Sequence, residues 1–458
     1  MGAYTLRSLR QQPQRLVASF VSLFLGATMV MAFASMFDTL VGNDGLSSTD
    51  TEALVTLGAV VGGWGLIIVV FAVASTLTLS VRQRSREMAL LKSVGATPAQ
   101  VGRMIVGEAA VVAVVAALAA VAPAALVGRL VFDLVRDSGQ VSAAVEHRFG
   151  AVALAVGFGV TFLGATVAAL VTARRTARLR ARDALADAEL DDGGSRLSRK
   201  RTVAAVVFLA LGAQTGTLTA TLMKDKGSDA MQTGGQASIW AGIGLALLAP
   251  ALVRGGARLF GGLLERVGGA SGYLAAHNLR RRAPQMARAV MPVIVFTAIA
   301  TGAIVMQAIE NQATEAAGLA ETASEKTIET LNFVVVGMIA VFAAIMVINT
   351  LVTATTGRRR ELAQQRLAGA TPAGALATVG LESVVVLVVG VAAGSLASLA
   401  TIVPYSIART DSPVPDTGLG IWLVVVGTAV ALTLGSTLGA ARRALRTPAV
   451  EAAGATAA

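Results

Sequence analysis

The sequence contains no cysteine and only two histidines, His147 and His277. A disulfide framework and a thiolate metal site are therefore excluded, and two widely separated imidazoles disfavour a histidine metal site. Charged residues are also scarce, at 14% of the chain against about 25% in an average soluble domain. Hydrophobic residues reach 55%, while aromatic residues make up only 4%. This composition excludes a disordered chain and favours an integral membrane protein over a soluble enzyme.

Ten apolar segments are long enough to cross a bilayer, which takes about 20 mainly apolar residues. Glycine and alanine are abundant in them, and small residues allow membrane helices to pack closely. The first segment follows a basic start, but its apolar run of about 22 residues exceeds the core of a signal peptide, so we expect it to remain as a span. The predicted spans are roughly 16–37, 53–80, 104–132, 149–173, 202–223, 237–260, 286–306, 330–356, 378–403 and 420–441.

The loops between these spans alternate in charge. Arginine clusters lie near both ends of the chain and after the second, fourth, sixth and eighth spans. Residues 38–52 instead hold four acids and no base, and residues 310–329 hold five glutamates and one lysine. Because arginine and lysine favour the cytoplasmic side of a membrane, both termini are predicted to be cytoplasmic. The net charge of +11 is explained by this topology, without nucleic-acid binding.

The most specific feature of the sequence is an internal duplication. Residues 84–108 and 358–382 align without gaps, and ten of the twenty-five aligned positions are identical. Both copies contain the block Gly-Ala-Thr-Pro-Ala, and both lie between two apolar spans. A fainter similarity relates Ser8-Leu9-Arg10 to Asn278-Leu279-Arg280. The duplication therefore predicts two four-span repeats in the same orientation, joined by two linker spans.

The duplicated block predicts a helix, a sharp turn and a second helix. Gly95 and Gly369 can end the first helix in the left-handed conformation. Thr97 and Thr371 suit the N-cap of the second helix, with proline at its first position. Two such turns on the cytoplasmic face favour a docking surface for a protein partner. A plain helical hairpin with positive-inside charge is the alternative.

Acidic residues accompany each copy of the block. Glu108 and Glu382 lie where the third and ninth spans begin, so they are predicted to face protein or water rather than lipid. Pairing with an arginine, capping of the bundle and proton relay are the roles open to them. Glu87 and Glu361 lie in basic clusters, where they form local ion pairs or orient a docking helix. The candidate docking residues are Arg84, Arg86, Glu87, Leu91, Lys92, Gly95, Thr97, Arg358, Arg360, Glu361, Arg366, Gly369 and Thr371.

At these residues the chain resembles the FtsX-like permease family, also called MacB-like or type VII ABC transporter permeases. The family pattern is a span ending near an asparagine, an Arg-x-Arg-Glu stretch, a Gly-Ala-Thr turn and a span beginning near a glutamate. Both copies match, although Ser75 stands where the second copy has Asn349, and Gln364 and Gln365 replace apolar residues. The resemblance implies an all-α integral membrane protein with ten transmembrane helices, built as two parallel four-helix FtsX-like repeats joined by two linker helices.

The resemblance also implies a division of the chain into six segments. The two FtsX-like permease domains are expected at 53–185 and 330–452. The other segments are the first span with its external loop at 1–52, the charged linker with spans five and six at 186–285, span seven with its external loop at 286–329, and a tail at 453–458.

The family further implies a permease subunit of an ABC transporter in a bacterial plasma membrane, coupled to a cytoplasmic ATPase. The chain has no Gly-x-x-x-x-Gly-Lys-Ser/Thr phosphate loop. ATP and magnesium are therefore expected on a separate ATPase, in two copies per permease chain, and no cofactor or catalytic residue is expected in this chain. The ten spans are similar to those of bacitracin-type antimicrobial peptide resistance permeases, but the loop at 307–329 is too short for their large extracellular domain. Export of a lipophilic or amphipathic molecule is the expected function.

Two other functions stay open on the sequence alone. One is a non-transporting regulator, in which the ATPase acts through the membrane on an external hydrolase or a sensor kinase. The other is a secondary transporter, a class also often built from repeats. Such a transporter needs unwound helices or charged residues in the middle of its spans. Pro123, Pro250 and Pro292 could break helices there, but no charged residue lies clearly at mid-bilayer. A neighbouring gene for an ATP-binding cassette would favour the permease or the regulator.

Overall fold

A computed structural model describes most of the chain, and its described residues are helical apart from short connections. No strand occurs among them, and several helices are long and apolar enough to cross a membrane. The predicted class, an all-α membrane protein, is confirmed. The described residues are 13–61, 95–137, 139, 141–178, 198–224, 230–316, 337, 344, 347–348, 350–352, 354–355 and 358–454.

The helices of this described part are numbered here in chain order. A π-helical turn, Thr56–Val61, follows the second of them. The helices are α1 (Pro13–Gly42), α2 (Ser48–Val55), α3 (Pro98–Asp137), α4 (Ala151–Arg178), α5 (Arg199–Leu222), α6 (Ala230–Leu247), α7 (Ala249–Val267), α8 (Gly269–Arg281), α9 (Ala283–Ala316), α10 (Arg359–Leu367), α11 (Pro372–Thr410), α12 (Gly420–Leu445) and α13 (Ala449–Gly454).

Among the described residues, seven helices are long and apolar enough to span a membrane. They are α1, α3, α4, α5, α9, α11 and α12, and they correspond to seven of the predicted spans. The predicted spans 53–80 and 330–356 fall largely outside the described residues. The count of ten therefore stays a prediction.

The predicted sixth span, 237–260, is broken in the structure. α6 ends at Leu247, and α7 leaves it at an angle of 67°. Pro250 lies in the first turn of α7, and it lacks the N–H that an uninterrupted helix would need there. Arg201 Nε donates to the Leu247 carbonyl at 2.7 Å and so satisfies one of the carbonyls left over at the end of α6.

The chain divides into two compact units, one containing α1–α4 and the other α5–α13. In the first unit α1 packs against α3 and α4, and Ala27 and Ala120 lie in one buried cluster between these helices. Asp38 of α1 accepts hydrogen bonds from the amides of Val152 and Ala153, at 2.9 and 2.8 Å. A carboxylate from a neighbouring helix therefore caps the positive N-terminal end of α4.

In the second unit, α9 and α11 form the centre, and α5–α8 and α12 pack around them. Glycine permits the close approach of the two central helices. A Cβ atom at Gly394 of α11 would lie 2.6 Å from the Thr297 Cβ and 2.8 Å from the Ile294 carbonyl oxygen of α9. A larger residue at Gly394 would force the helices apart, which is why small residues mark such crossings in membranes.

A hydroxyl group joins α6 to α11. Thr401 Oγ1 donates to the Gly234 carbonyl at 2.7 Å and accepts from the Ser238 amide at 2.8 Å. Gly234 and Ser238 are four residues apart, so they are the pair that a regular α-helix would bond directly. The Thr401 side chain thus enters the hydrogen-bond ladder of α6, which is one of the established causes of helix bending.

α11 contains a proline near its C-terminal end, although the helix continues to Thr410. Pro404 supplies no N–H, so the carbonyl of Ala400 has no partner four residues on. Gly216 of α5 packs against this carbonyl, since a Cβ atom at that position would lie 3.0 Å from its oxygen. Beyond the proline, Arg409 Nε and Nη2 donate to Glu310 of α9 at 2.6 and 2.9 Å. The end of α11 is therefore fastened to α9 by an ion pair.

Candidate functional site

The end of α10 has the conformation that the duplicated Gly-Ala-Thr-Pro block predicts. Gly369 adopts a φ of +99°, in the left-handed region that favours glycine. Its N–H donates to the Arg366 carbonyl at 3.1 Å, and the N–H of Ala370 donates to the Gln365 carbonyl at 2.9 Å. These two bonds form a Schellman motif, which stops α10 and satisfies two of its last carbonyls.

A threonine caps the helix that follows the turn in each copy. Thr371 Oγ1 accepts from the Gly374 amide at 3.0 Å, at the start of α11. In the first copy Gly95 has a φ of +101°, and α3 begins at the residue after Thr97. Gln100 N donates to Thr97 Oγ1 at 3.3 Å, and Thr97 N donates to Gln100 Oε1 at 2.9 Å, which makes a reciprocal capping box. The left-handed glycine and the threonine cap predicted from sequence are therefore found in both copies.

The first part of the first copy, up to residue 94, lies outside the described residues. The predicted docking residues that lie outside the described residues are Arg84, Arg86, Glu87, Leu91 and Lys92. The acid that follows this copy is described: Glu108 is buried in α3, as Glu382 is in α11. Both acids therefore face protein, as expected of charged groups near the start of a span.

Arg358, just before α10, bridges two carboxylates. Its Nη1 and Nη2 both donate to Glu382, with 3.1 Å between Nη2 and Oε1. Its Nε and Nη2 donate to Glu361, both at 3.2 Å. Arg282 Nη1 donates to the same Glu361 carboxylate, and Asn278 Nδ2 donates to Glu382 Oε1 at 2.7 Å. This network, which we call the turn network, joins α8, α10 and α11 at the base of the turn.

The turn network balances two positive charges against two negative charges in a largely buried setting. The side chains of Arg358 and Glu382 are 16% and 3% exposed. Burial raises the pKa of the Glu361 carboxyl, but the hydrogen bonds and charges of Arg358 and Arg282 outweigh burial and hold that pKa below its ordinary value. Burial lowers the pKa of the Arg358 guanidinium, but the two carboxylates outweigh it and raise that pKa. Glu361 and Arg358 are therefore both charged at neutral pH.

Three of the predicted docking side chains in the second copy bind within the chain. Arg358 and Glu361 belong to the turn network, where Glu361 forms the local ion pairs that were the alternative to docking. Arg366 Nη1 donates to the carbonyls of Leu445 and Thr447, both at 3.0 Å, and so caps the C-terminal end of α12. These three residues therefore position α10, and their predicted role in docking stays a prediction.

The exposed surface of α10 and its turn is made by other residues. Arg360, Gly369 and Thr371 are the predicted residues that it exposes. Gln364 is exposed as well, and Leu367 is 56% exposed. Arg360, Gln364 and Leu367 are spaced four and three residues apart, so they share one side of α10. We call this side the α10 face.

Sequence reasoning missed three residues of the site. Asn278 aligns with Ser8 in the faint repeat, and the polar residue at both aligned positions was the available signal for Asn278. Arg282 is the last of three consecutive arginines, and nothing in the sequence distinguishes it from the other two. Leu367 occupies the last position of α10, where its exposure depends on how the helix packs.

The described geometry defines a helical membrane protein with a duplicated turn that follows a basic segment. Residues 59–177 and 333–449 each match the family described as FtsX-like permease C-terminal, and each match contains one copy of the turn. The two matches together cover just over half of the chain. The chain belongs to the FtsX-like permease family, whose members generally work with cytoplasmic ABC ATPases. No curated protein sequence matches the chain.

Proposed function

We propose that this chain is the membrane subunit of an ATP-driven exporter whose ATP-binding cassette is a separate cytoplasmic protein. The observation that carries the proposal is the double family match, with the same glycine turn and threonine cap in both copies. Two copies of one docking element suit a dimeric ATPase, one ATPase subunit for each turn. ATP and magnesium would bind to that ATPase, since the permease sequence has no phosphate loop.

The α10 face is the proposed contact for the ATPase in the second copy. Leu367 offers an exposed apolar anchor at the tip of α10, and Arg360 offers a charge beside it. Binding energy at interfaces tends to concentrate in such anchors. A push on α10 would pass to α11 through the Arg358–Glu382 pair, because this pair joins the base of the turn to the buried start of α11.

The proposed cargo is a lipophilic or amphipathic molecule taken from the bilayer and released outward. α9 runs to Ala316 and the second family match begins at residue 333, which leaves too little sequence for a large external binding domain between them. Cargo that reaches the permease from the lipid phase needs no such domain. In this proposal both turns and both termini lie on the cytoplasmic side of a bacterial plasma membrane, an orientation that the arginine-rich loops support.

The test is co-purification with the ATPase encoded beside the permease gene, followed by ATP hydrolysis in nanodiscs. The variant Leu367→Asp combined with Arg360→Glu should weaken the ATPase association and reduce the stimulation of hydrolysis, while the first turn keeps its own contact. Val414→Asp is the matched control, since Val414 is 74% exposed but lies in the connection between α11 and α12, away from the turn. Wild-type association and rate in the double variant would refute docking at the α10 face.

A transport assay separates the exporter from a non-transporting regulator. ATP-dependent movement of a fluorescent amphipathic peptide or lipid across the membrane of proteoliposomes should occur with the complex and should fall in the double variant. Hydrolysis that responds normally to the permease without movement of any such probe would favour the regulator.

A further inference from the structure

α7 combines the features of a helix that lies at a membrane surface. It leaves α6 at 67°, at the end of a helix of eighteen residues. Eighteen residues span about 27 Å, close to the roughly 30 Å of a bilayer's hydrocarbon core. α7 carries Arg254, Arg258, Glu265 and Arg266 within nineteen residues, a charge density that is costly inside the hydrocarbon. α6 is therefore long enough for a crossing, and a helix that leaves its end at 67° would run along the surface that α6 reaches.

One side of α7 is packed against the centre of the second unit. Val253, Ala257 and Leu264 are buried on this side. Gly256 permits a close approach to α11, since a Cβ atom there would lie 2.5 Å from Val389 Cγ2. Glu265 forms an ion pair with Arg280 of α8 at 2.9 Å. α7 is thus anchored to the protein along its length and to the helix that carries Asn278 of the turn network.

A second side of α7 exposes large apolar residues. Leu259, Leu263 and Val267 are 75%, 59% and 79% exposed. Their spacing of four residues places them in one stripe along the helix, next to the buried side. Arg258 and Arg266 are exposed on the opposite border of the stripe. An apolar stripe bordered by arginines is the pattern of an amphipathic helix at the interface between acyl chains and headgroups.

We propose that α7 is an interfacial helix that binds anionic lipid at the bilayer surface next to the end of α6. Leu259, Leu263 and Val267 enter the boundary of the acyl chains. Arg258 and Arg266 extend their apolar stems over this boundary and bring their guanidinium groups to lipid phosphates. Two observations identify lipid as the occupant: α7 continues from α6, with which it forms one bent pair of apolar helices, and positive charge borders the stripe. Because α7 packs on α8 and α11, bound lipid would also brace the turn network.

The first test places a fluorophore on the stripe. The chain has no cysteine, so Leu263→Cys can be labelled alone with an environment-sensitive dye, in the full chain in nanodiscs. Gly262→Cys is the matched control, because Gly262 is exposed on the charged side with open space around it. Brominated acyl chains should quench the dye at 263 several-fold more than the dye at 262, and aqueous iodide should do the reverse. Equal iodide quenching at both positions would overturn the proposal, as would protection of position 263 from both quenchers, which would mean that protein covers the stripe.

The second test measures the lipid charge preference. Two nanodisc preparations contain equal parts of phosphatidylglycerol and phosphatidylcholine. In one preparation only the phosphatidylglycerol is brominated, and in the other only the phosphatidylcholine. Brominated phosphatidylglycerol should quench the dye at 263 several-fold more, and the preference should disappear in Arg258→Gln combined with Arg266→Gln. Equal quenching by the two lipids in the wild-type background would overturn the anionic-lipid assignment. No ATPase is present in either test, so both results are independent of the proposed export function.

Discussion

Arg358 donates to Glu382 from both terminal nitrogens of its guanidinium group, although the two residues are 24 positions apart. All of α10 and the whole turn lie between them. The pair therefore clamps the base of the hairpin at a site where Glu382 is almost fully buried. α10 cannot swing away from α11 unless this pair breaks, and breaking it would leave charge in a poorly solvated site.

The first prediction concerns Glu382. Glu382→Gln preserves the shape of the side chain but leaves Arg358 with one fewer counter-charge, and we expect the free energy of unfolding to fall by about 3 kcal/mol, the lower end for breaking a buried pair. Thermal unfolding of the purified protein in detergent measures this. Glu451→Gln in α13, at an exposed position, is the control and should change stability by less than about 0.5 kcal/mol. Equal unfolding temperatures for the two variants would show that the turn network does not stabilise the fold.

The second prediction concerns pH. The pKa of Glu361 is lower in the folded protein than its ordinary value of about 4.3. Ionised Glu361 therefore stabilises the fold above pH 4.3, and this contribution is lost as the pH falls through the lower folded pKa. Glu361→Gln should destabilise the protein at pH 7 and lose this effect toward pH 3. Denaturant titrations at both pH values measure the difference, and a penalty that stays constant with pH would exclude a role for the charge.

The third prediction concerns the left-handed glycines of the two turns. Gly369→Val and Gly95→Val should each destabilise the protein by about 1–2 kcal/mol, since a residue with a Cβ atom pays this in the left-handed conformation. Gly435→Ala is the control, because Gly435 lies within α12 with open space around it, and alanine favours a helix there. Wild-type stability in both valine variants would show that the turn tolerates another backbone conformation.

The fourth prediction concerns the hydroxyl group that joins α6 to α11. Thr401→Val keeps the shape of the side chain but removes the partner of the Gly234 carbonyl and the Ser238 amide, at a cost of about 1–3 kcal/mol for buried unsatisfied groups. Amide exchange at Ser238 should become faster. Thr428→Val removes a hydroxyl from an exposed position of α12 and is the control. Unchanged exchange at Ser238 would show that the Ser238 amide can bond to the Gly234 carbonyl directly, without the Thr401 hydroxyl.

The fifth prediction concerns topology. Single cysteines at Ser48 and at Ala368 occupy exposed positions, and the chain has no cysteine of its own. An impermeant maleimide added to intact cells should label position 48 and should reach position 368 only after the membrane is opened. Labelling of position 368 in intact cells would reverse the orientation inferred from the arginine-rich loops.

Local features of the site were predictable from sequence, and distant contacts were not. Gly369 and Thr371 act on the backbone within a few residues of themselves, so their own sequence encodes the turn. The contact between Asn278 and Glu382 joins residues 104 positions apart, and it depends on how α8 packs against α11. The break at Leu248 was also missed, because apolar residues continue on both sides of it. Pro250 was recognised as a potential breaker, but its effect on direction depends on the packing of α7.

Pro404 removes one hydrogen bond from the ladder of α11, although the helix itself continues to Thr410. The part from Pro372 to Ala400 is about 43 Å long, and Glu382, which pairs with Arg358, lies in the N-terminal half of this part. The segment after Pro404 is fixed to α9 through Arg409 and Glu310. The missing bond makes the segment between Ala400 and Pro404 the place where α11 would bend most easily, and Thr401 in this segment also enters the ladder of α6. A bend of α11 at this point would therefore also disturb the hydrogen bond of Ser238 in α6, while the Arg409–Glu310 pair holds the segment after Pro404.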